Sequence, residues 1–501
     1  MTSEMKVDET GQSGAAAAAG GRADRRRWLA LILLCAVQFM VVLDVAIVNV
    51  ALPSIKVDLG FSQQDLQWVI SAYALVFGGF LLLGGRAADM LGRRRLFLGG
   101  IVLFTTGSLL AGLAWSEQSL IGARTVQGLG AALITPAALS ILSTTFAEGR
   151  ERNIALGAWG AVGGFGAVAG VLLGGVLTDA LSWEWIFFVN VPVGVLGFAL
   201  APVLLEESRD ARVQRFDLPG AVLVTGGLSS LVYAITRAGQ DGWLAPQTLT
   251  VFAVSLALLA GFVAWELRHE EPLMRFGILQ TRTVSGANVA GLILGTALFS
   301  MFLMLTLYMQ QVLGYSAMRS GLAYLAVAGT AIIWSGVASQ LVTRMGVKPV
   351  LVVGMVALTA GLVSFSRVSV GGSYATDLLP GFLLVGVGIG FSFVPISIAA
   401  LAGIKPAEAG LASGLINTSQ QIGGALGIAA LSTIATSRTA DSVSNGAVLP
   451  QALVDGFSTA FLVGAAIAAL GVVVSLVLVR RDELAVGIVP GIEEDLALEA
   501  A

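Results

Sequence analysis

Apolar segments of about 20 residues alternate with short polar stretches along most of the chain. A helix needs about 20 apolar residues to cross a bilayer, so this pattern predicts membrane-spanning helices. Fourteen segments fit it, at residues 28–50, 66–85, 96–115, 119–141, 154–178, 185–205, 218–237, 247–267, 284–308, 320–342, 349–367, 377–401, 409–436 and 457–479. The first is too long for a signal peptide and lacks a convincing small-residue cleavage site, so we expect it to be retained.

The basic residues indicate how these helices are oriented. With the N-terminus in the cytosol, 22 of the 28 Lys and Arg residues fall in cytosolic segments and 5 in external ones, while Arg124 lies within a predicted helix. Cytosolic loops carry the excess of Lys and Arg, and a missed helix would have scrambled this distribution. The sequence therefore predicts 14 spans with both termini in the cytosol.

Composition narrows the class of protein further. The chain of 501 residues is 56% hydrophobic and only 12% charged, which excludes a soluble enzyme. Its 63 Gly and 6 Tyr argue against a β-barrel with aromatic girdles, so the expected fold is an all-α polytopic membrane protein. One Cys and one His, Cys35 and His269, leave no disulfide and no metal cluster, and a net charge of −3 does not favour nucleic acid. We expect no metal and no cofactor, and the absence of a phosphate-binding Gly-Lys-Ser/Thr loop argues against ATP as the energy source.

An internal repeat divides the chain into two halves. Residues 59–62 (LGFS) match residues 313–316 (LGYS), and the pairs Gly92/Gly346 and Gly100/Gly354 share the same offset of 254 residues. The offset corresponds to eight spans, so the halves are parallel repeats of six helices with two helices inserted between them. The predicted units are an N-terminal cytosolic tail without order at 1–27, a first half at 28–205, an insertion at 206–283, a second half at 284–479 and an acidic cytosolic tail at 480–501.

Four motifs accompany this architecture. They are residues 43–53 (LDVAIVNVALP) on span 1, residues 85–95 (GRAADMLGRRR) between spans 2 and 3, residues 124–132 (RTVQGLGAA) on span 4, and a glycine ladder on span 5 made of Gly157, Gly166, Gly170, Gly174 and Gly175. Together they resemble the major facilitator superfamily, and within it the 14-span drug:proton antiporters, over residues 28–480. The chain departs from that family at Val171, where Pro is usual, and at Glu184, where Arg is common.

The resemblance implies a proton-driven antiporter that exports hydrophobic or cationic drugs or antibiotics by alternating access. It implies proton coupling at Asp44 and Arg124, an antiporter role for the glycine ladder, and a conformational latch at the cytosolic mouth. That latch would comprise Gly85, Asp89, Gly92 and Arg93. The proton gradient would supply the energy, and the partners would be an amphipathic small molecule, protons and the bilayer of a bacterial plasma membrane, with a monomeric transport unit.

Asp44 and Arg124 also stand out on physical grounds. A charged side chain near the centre of a bilayer costs about 2.5–3.5 kcal/mol even on the mild insertion scales, so such residues usually have a function. Both are predicted about 8–10 Å below the outer surface, and the repeat places Leu298 where Asp44 would have its counterpart. We expect Asp44 to carry the proton under the influence of Arg124. The alternative is a static ion pair that holds spans 1 and 4 together.

The sequence identifies the residues of the substrate cavity less clearly. Asn417 and Gln421 share one face of span 13, and apolar residues could complete a roomy site beside them. The candidates are Met40, Phe299, Phe302, Asn417 and Gln421. Three other functions remain open at this point: a lipid or cell-envelope precursor translocase of the same fold, a proton-coupled uptake symporter, and a membrane scaffold that transports nothing.

Overall fold

Helices joined by short connections make up the computed structural model, which describes residues 8–146, 150–208, 217–269, 272–273, 276–402, 404 and 409–480. No β-strand occurs in these ranges. The α-helices found there are α1 Asp8–Leu59, α2 Trp68–Leu91, α3 Arg93–Gly112, α4 Glu117–Thr145, α5 Arg150–Ala180, α6 Trp185–Phe188, α7 Asn190–Leu204, α8 Leu218–Asp241, α9 Pro246–Glu266, α10 Arg282–Leu307, α11 Ala317–Ala323, α12 Leu325–Met345, α13 Val347–Phe365, α14 Leu379–Ala400, α15 Ala409–Ser444 and α16 Leu449–Val477.

A helix lies at each of the fourteen segments that the hydropathy pattern predicts. Within the described residues, 11 helical segments are long and apolar enough to cross a membrane. The prediction of an all-α polytopic membrane protein is therefore confirmed, whereas the count of fourteen spans stays a prediction. Helix α1 begins at Asp8, well before the predicted start of the first span, in a segment rich in Ala, the residue with the highest helix propensity. Residues 1–7 and 481–501, which include nearly all of the predicted acidic tail, lie outside the described residues.

Paired glycines turn the chain in the same way at equivalent places of the two halves. Gly60 and Gly314 have φ values of 75° and 66°, and Gly92 and Gly346 have values of 105° and 85°. A positive φ is readily adopted only by glycine. Gly92 lies between α2 and α3, and Gly346 lies between α12 and α13. The residues that revealed the repeat in the sequence thus make equivalent tight connections in the fold.

Two sets of helices, α1–α7 and α10–α16, pack mainly within themselves. In the first set α3 packs on α4 and α1 on α5, and in the second α13 packs on α14 and α10 on α15. One buried apolar cluster is confined to the first set, from Ala30 to Leu205, while a larger one joins the two sets. We call the end of the bundle where α1 begins and α16 ends the terminal end, and the opposite end the distal end.

Hydrogen bonds close the two sets against each other toward the distal end. Asp179 at the end of α5 accepts hydrogen bonds from the backbone N–H groups of Ala317 (3.2 Å) and Met318 (2.8 Å), at the start of α11. Further bonds run from Gln310 Nε2 to the Val50 carbonyl (2.8 Å) and from Ser432 Oγ to Gln67 Oε1 (2.8 Å). Nearer the middle of the bundle, Thr418 Oγ1 donates to the Gly78 carbonyl (3.1 Å). The bonds of Asp179, Gln310 and Ser432 each join one set of helices to the other. The two sets can therefore separate at the distal end only if these bonds break.

Helices α8 and α9 form a hairpin that covers the seam between α2 and α15. One apolar cluster joins all three elements and contains Ala74, Leu75, Leu228, Val232, Ala425 and Ala429. The base of the hairpin is fixed by Asp217, whose Oδ1 accepts hydrogen bonds from the Gly220 backbone N–H (2.9 Å) and from Trp265 Nε1 (2.6 Å). Asp217 thereby caps α8 and ties it to α9.

The surroundings of Asp217 stabilise its ionised form. Burial opposes ionisation, but hydrogen bonds with Gly220, Glu266 and Trp265 and the proximity of His269 together lower the pKa of the Asp217 carboxyl. A carboxyl whose pKa is lowered by folding stabilises the fold above its ordinary pKa of 3.8, and this contribution is lost as the pH falls through its folded-state value.

We expect Asp217→Asn to destabilise the hairpin at neutral pH by about 1 kcal/mol, because a neutral amide oxygen accepts the hydrogen bonds from Gly220 and Trp265 less strongly than the carboxylate does. Thermal unfolding of the purified protein measures the effect. The difference between wild type and variant should shrink as the pH falls below 4, because the wild-type carboxyl is then protonated as well. Asp241→Asn, at the exposed opposite end of α8, is the matched control and should change little; an equal loss in both variants contradicts the role of the cap.

Candidate functional site

An ion pair lies in the interior of the first set of helices. The Asp44 side chain on α1 is 0% exposed and the Arg124 side chain on α4 is 1% exposed. Arg124 Nη1 is 2.5 Å from Asp44 Oδ2. The two residues singled out by the cost of intramembrane charge are therefore in direct contact, away from any surface of the bundle.

Two amide side chains complete the coordination of Asp44. Gln127 Nε2 and Asn190 Nδ2 both donate to Asp44 Oδ1, at 3.0 and 2.9 Å, while Gln127 Oε1 accepts from Arg124 Nη1 at 2.8 Å. Ser108 Oγ lies 2.7 Å from the Gln127 amide nitrogen and accepts its hydrogen bond. Arg124, Gln127 and Asn190 all donate hydrogen bonds to the Asp44 oxygens. An ionised carboxylate can only accept hydrogen bonds, so this arrangement fits the ionised form.

Helix α2 holds the other side of Arg124. Arg124 Nε donates to the Val69 carbonyl at 2.9 Å, and the guanidinium lies over the Tyr73 ring, 4.4 Å from its centroid. A cation over an aromatic face gains about 0.5–2 kcal/mol, most when water is excluded. The site thus gathers side chains or carbonyls from α1, α2, α3, α4 and α7, which it locks into one arrangement.

Not every polar atom near the pair is satisfied. Within the part of the chain that the structure describes, Asn190 Oδ1 and the Tyr73 hydroxyl are buried without a hydrogen-bond partner. A buried polar atom without a partner costs about 1–3 kcal/mol. The Asn190 amide therefore donates to Asp44 through Nδ2, while its oxygen Oδ1 accepts no hydrogen bond in this state.

The glycine ladder positions the helix that carries Asp44. An ideal Cβ on Gly166 would lie 3.0 Å from Val42 Cγ1, one on Gly170 would lie 2.8 Å from the Leu43 carbonyl oxygen, and one on Gly174 would lie 2.7 Å from the Ile47 carbonyl oxygen. Helix α5 is thus in backbone contact with α1 on both sides of Asp44 along the chain. Gly175 instead faces the Met318 Cα on α11, and the surroundings of Gly157 lie outside the described residues.

The second half repeats this close approach. An ideal Cβ on Gly427 would lie 2.6 Å from the Thr296 carbonyl oxygen, and one on Gly423 would collide with the Leu292 carbonyl oxygen. Helix α15 therefore packs on α10 as α5 packs on α1. The glycine motif serves backbone contact in both halves, whereas the buried charge at Asp44 occurs in one.

The loop between α2 and α3 is organised by an acid that sequence reasoning missed. Glu207 accepts hydrogen bonds from the backbone N–H groups of Arg94 (3.1 Å) and Arg95 (3.2 Å), so a negative charge sits at the start of α3 where the helix dipole favours it. Gly92 has a φ of 105°, which is strained for any residue with a side chain, and an ideal Cβ there would also lie 2.6 Å from Glu207 Oε1.

The remaining latch residues lie around this loop. The Arg93 backbone N–H donates to the Ser208 carbonyl at 2.9 Å. Gly85 faces α4, where an ideal Cβ would lie 3.5 Å from Pro136 Cβ. The Asp89 side chain is outside the described residues. The loop is therefore tied to the segment after α7, within the first set of helices.

The five candidate cavity residues lie in different environments. Met40 is 1% exposed inside the apolar cluster of the first set, while Phe299 and Phe302 pack against the larger cluster, Phe302 with its ring centroid 5.1 Å from that of Tyr324. Gln421 is 9% exposed at the seam with α2, and Asn417 is exposed.

Sequence reasoning also missed Ser108, Gln127 and Asn190. Gln127 stands in the span 4 motif one helical turn after Arg124, which places both on one face, so the spacing could have identified it. Asn190 is the one Asn in predicted span 6, a polar side chain in an apolar segment. Ser108 carries no comparable signal, because serine is tolerated throughout apolar helices.

A bundle of two equivalent helix sets with a buried charge network in one of them is the architecture of a secondary transporter. The family model of the Major Facilitator Superfamily matches residues 34–428, and the chain belongs to this superfamily. It is therefore a membrane transporter and not an enzyme.

Several relatives have been named for resistance or export. The chain is 41% identical over 448 residues to the puromycin resistance protein pur8 of Streptomyces alboniger, covering 89% of both chains. It is 38% identical over 479 residues to the cephamycin export protein CmcT of Amycolatopsis lactamdurans, covering 95% of both. Among solved structures, a bacterial homologue of the human lysosomal transporter Spinster in an inward-facing conformation aligns with a TM-score of 0.63 at 16% identity, covering 91% of this chain and 97% of that one.

We expect Gly170→Ala to lower the stability of the folded protein, because the added Cβ would lie only 2.8 Å from the Ala46 Cβ and from the Leu43 carbonyl oxygen. Overpacking of this kind typically costs about 1–3 kcal/mol. Thermal unfolding of the purified protein reports the loss. Gly99→Ala on α3, where an added Cβ meets nothing within 4 Å, is the control and should be neutral or slightly stabilising. If both variants behave alike, close contact of α5 with α1 is not what the ladder provides.

Proposed function

We propose that the protein is a proton-driven antiporter that exports hydrophobic or cationic drugs or antibiotics across a bacterial plasma membrane. The observation that carries this proposal is the buried acid Asp44, held by the buried Arg124 in the interior of the first set of helices, in a membrane transporter whose relatives include proteins named for antibiotic resistance and export. No ATP or other cofactor enters the scheme, since the proton gradient supplies the energy. The transport unit is a monomer, and the cargo is an amphipathic small molecule.

The proposed topology has 14 spans, with the terminal end of the bundle in the cytosol. The distribution of 22 basic residues on one side against 5 on the other supports it. In this orientation the external side is closed by the hydrogen bonds that Asp179 accepts from α11 and by those that Gln310 and Ser432 donate. The structure then corresponds to a state that is closed to the outside, in which cargo enters from the cytosol.

Asp44 is the proposed proton carrier, and its environment in this state suits the deprotonated form. A proton on Asp44 needs an acceptor, and rotation of the Asn190 amide by half a turn would present its unused Oδ1 to the carboxyl. Neutralising Asp44 would also weaken the hold on Arg124, which keeps Gln127 and the Tyr73 ring as partners. Proton binding would thus rearrange the contact between α1 and α4.

Cargo is not expected to touch Asp44 in this state, because the side chain has no exposed surface and three donors occupy its oxygens. This differs from a scheme in which drug and proton compete for one carboxylate. We instead favour coupling through helix packing: α1 carries Asp44 and is in backbone contact with α5, and α5 contacts α11 of the other half through Gly175. A change at Asp44 can therefore reach the contacts that close the external side.

The test is transport by proteoliposomes that contain a pH-sensitive dye in their lumen. Drugs should trigger proton movement with the wild type, and Asp44→Asn should abolish it while the protein stays folded, because the variant side chain cannot ionise. Asp441→Asn, an exposed acid at the distal end, is the matched control and should retain transport. Misfolding of Asp44→Asn alone would support the static ion pair, since loss of one partner leaves the other charge buried and unpaired. Drug-triggered proton movement that persists in Asp44→Asn would contradict the proposal.

The topology is tested by labelling single cysteines in intact cells. In a Cys35→Ser background, Ser444→Cys should react with a membrane-impermeant maleimide from outside, and Arg480→Cys should react only after lysis, since both positions are exposed but lie at opposite ends of the bundle. The reverse pattern would invert the proposed orientation. Reaction of both positions from outside would contradict the proposed topology, in which the single span formed by α16 separates Ser444 from Arg480.

A further inference from the structure

A cavity of about 1140 Å³ lies at the distal end, between the ends of α1 and α5 on one side and α10, α15 and α16 on the other. We call it the distal vestibule; its wall includes Lys56, Asp58, Trp183, Glu184, Tyr315 and Phe457. Gln310 also lines it, and that residue makes one of the hydrogen bonds that close the two halves. None of the residues that hold Asp44 lines the vestibule.

The charged residues of the vestibule are not equally satisfied. Asp58 Oδ2 accepts a hydrogen bond from Trp183 Nε1 at 2.9 Å, and Lys56 donates to Gln63. Glu184 Oε2 is buried, and no described residue supplies it with a hydrogen bond. A carboxylate oxygen removed from water without a donor is costly, so this position favours a cation.

The rest of the wall is apolar and aromatic. Trp183, Tyr315 and Phe457 line the vestibule together with Met304, Leu307 and Leu453. Aromatic faces attract organic cations, and the volume exceeds the roughly 300–1,000 Å³ typical of sites for drug-sized ligands. The two acids, Asp58 and Glu184, outnumber the one cation, Lys56, among the charged residues of the wall that the structure describes. The wall therefore disfavours anions.

We propose that the distal vestibule is a second binding site, for hydrophobic organic cations, in which the Glu184 carboxylate pairs with the positive charge. Its place in the transport cycle, as a station that cargo occupies after leaving the central pathway, rests on the proposed function. Binding of a cation to the vestibule does not rest on the proposed function, because the lining residues do not include Asp44. A cation added from the external side should reach it while the closing contacts are intact.

Equilibrium binding of tetraphenylphosphonium to the full-length protein in lipid nanodiscs tests the site. The background is Asp44→Asn, so that the proposed proton site takes no part. Binding should persist in Asp44→Asn, and adding Glu184→Gln should weaken it about tenfold, in line with loss of one partly desolvated cation contact. Asp44→Asn with Asp441→Asn is the matched control and should bind as Asp44→Asn does.

Tetraphenylborate, an anion of the same shape, separates charge recognition from apolar adsorption. It should bind more weakly than the cation in the Asp44→Asn background, and Glu184→Gln should remove most of that preference. Equal loss of both ions in Glu184→Gln, or equal affinity of Glu184→Gln and the Asp441→Asn control for the cation, overturns the proposal. Absence of cation binding to the wild type, or to Asp44→Asn that is shown to be folded, also overturns it. Failure of drug-triggered proton movement in the wild type, with cation binding intact, would instead count against the proposed function alone.

Discussion

The buried ion pair of Asp44 and Arg124 is the constraint on which the first half of the bundle depends. Removing two charges from water costs several kcal/mol per ion, and their attraction offsets this only when hydrogen bonds satisfy the remaining atoms. Those bonds come from Gln127, Asn190 and the Val69 carbonyl, on three different helices. The pair can therefore persist only if these helices keep one arrangement, which favours motion of the first half as a unit.

The second half meets the same packing problem without charge. Leu298 stands where the repeat would place a counterpart of Asp44, and the core is joined instead by a chain of rings in which Tyr324 and Phe382 are 5.4 Å apart and Phe365 is 5.6 Å from Phe461. Both halves share the glycine contact, through Gly170 and Gly427. A change in the protonation of Asp44 would therefore act directly on the first half alone, and the second half would respond through the surface between them.

Local pattern was enough to predict the helices and the two charges, because hydropathy and the cost of an intramembrane ion are properties of each segment by itself. It could not predict that Asn190 contacts Asp44, since the two residues are 146 positions apart and meet only after the helices pack. Glu207 was missed for the same reason, as it reaches α3 from beyond α7. Apolar candidates such as Met40 could not be placed, because a residue that faces a cavity and one that faces the core look alike in sequence.

The inserted hairpin contacts both halves, because α8 packs on α2 of the first half and on α15 of the second. Its contacts with each half indicate which half it moves with. Its polar anchor lies on the side of the first half, where Arg86 Nη1 donates to the Pro272 carbonyl at 2.8 Å and Leu83 packs with Ala221 and Leu273. Toward α15 it makes the apolar contacts of Leu228 and Val232, and Thr433 donates a long hydrogen bond of 3.5 Å to the Ile235 carbonyl. Apolar contact is non-directional and tolerates sliding, whereas hydrogen bonds fix geometry. These contacts therefore favour movement of the hairpin with α2, so that it can cover the seam without preventing the halves from moving against each other.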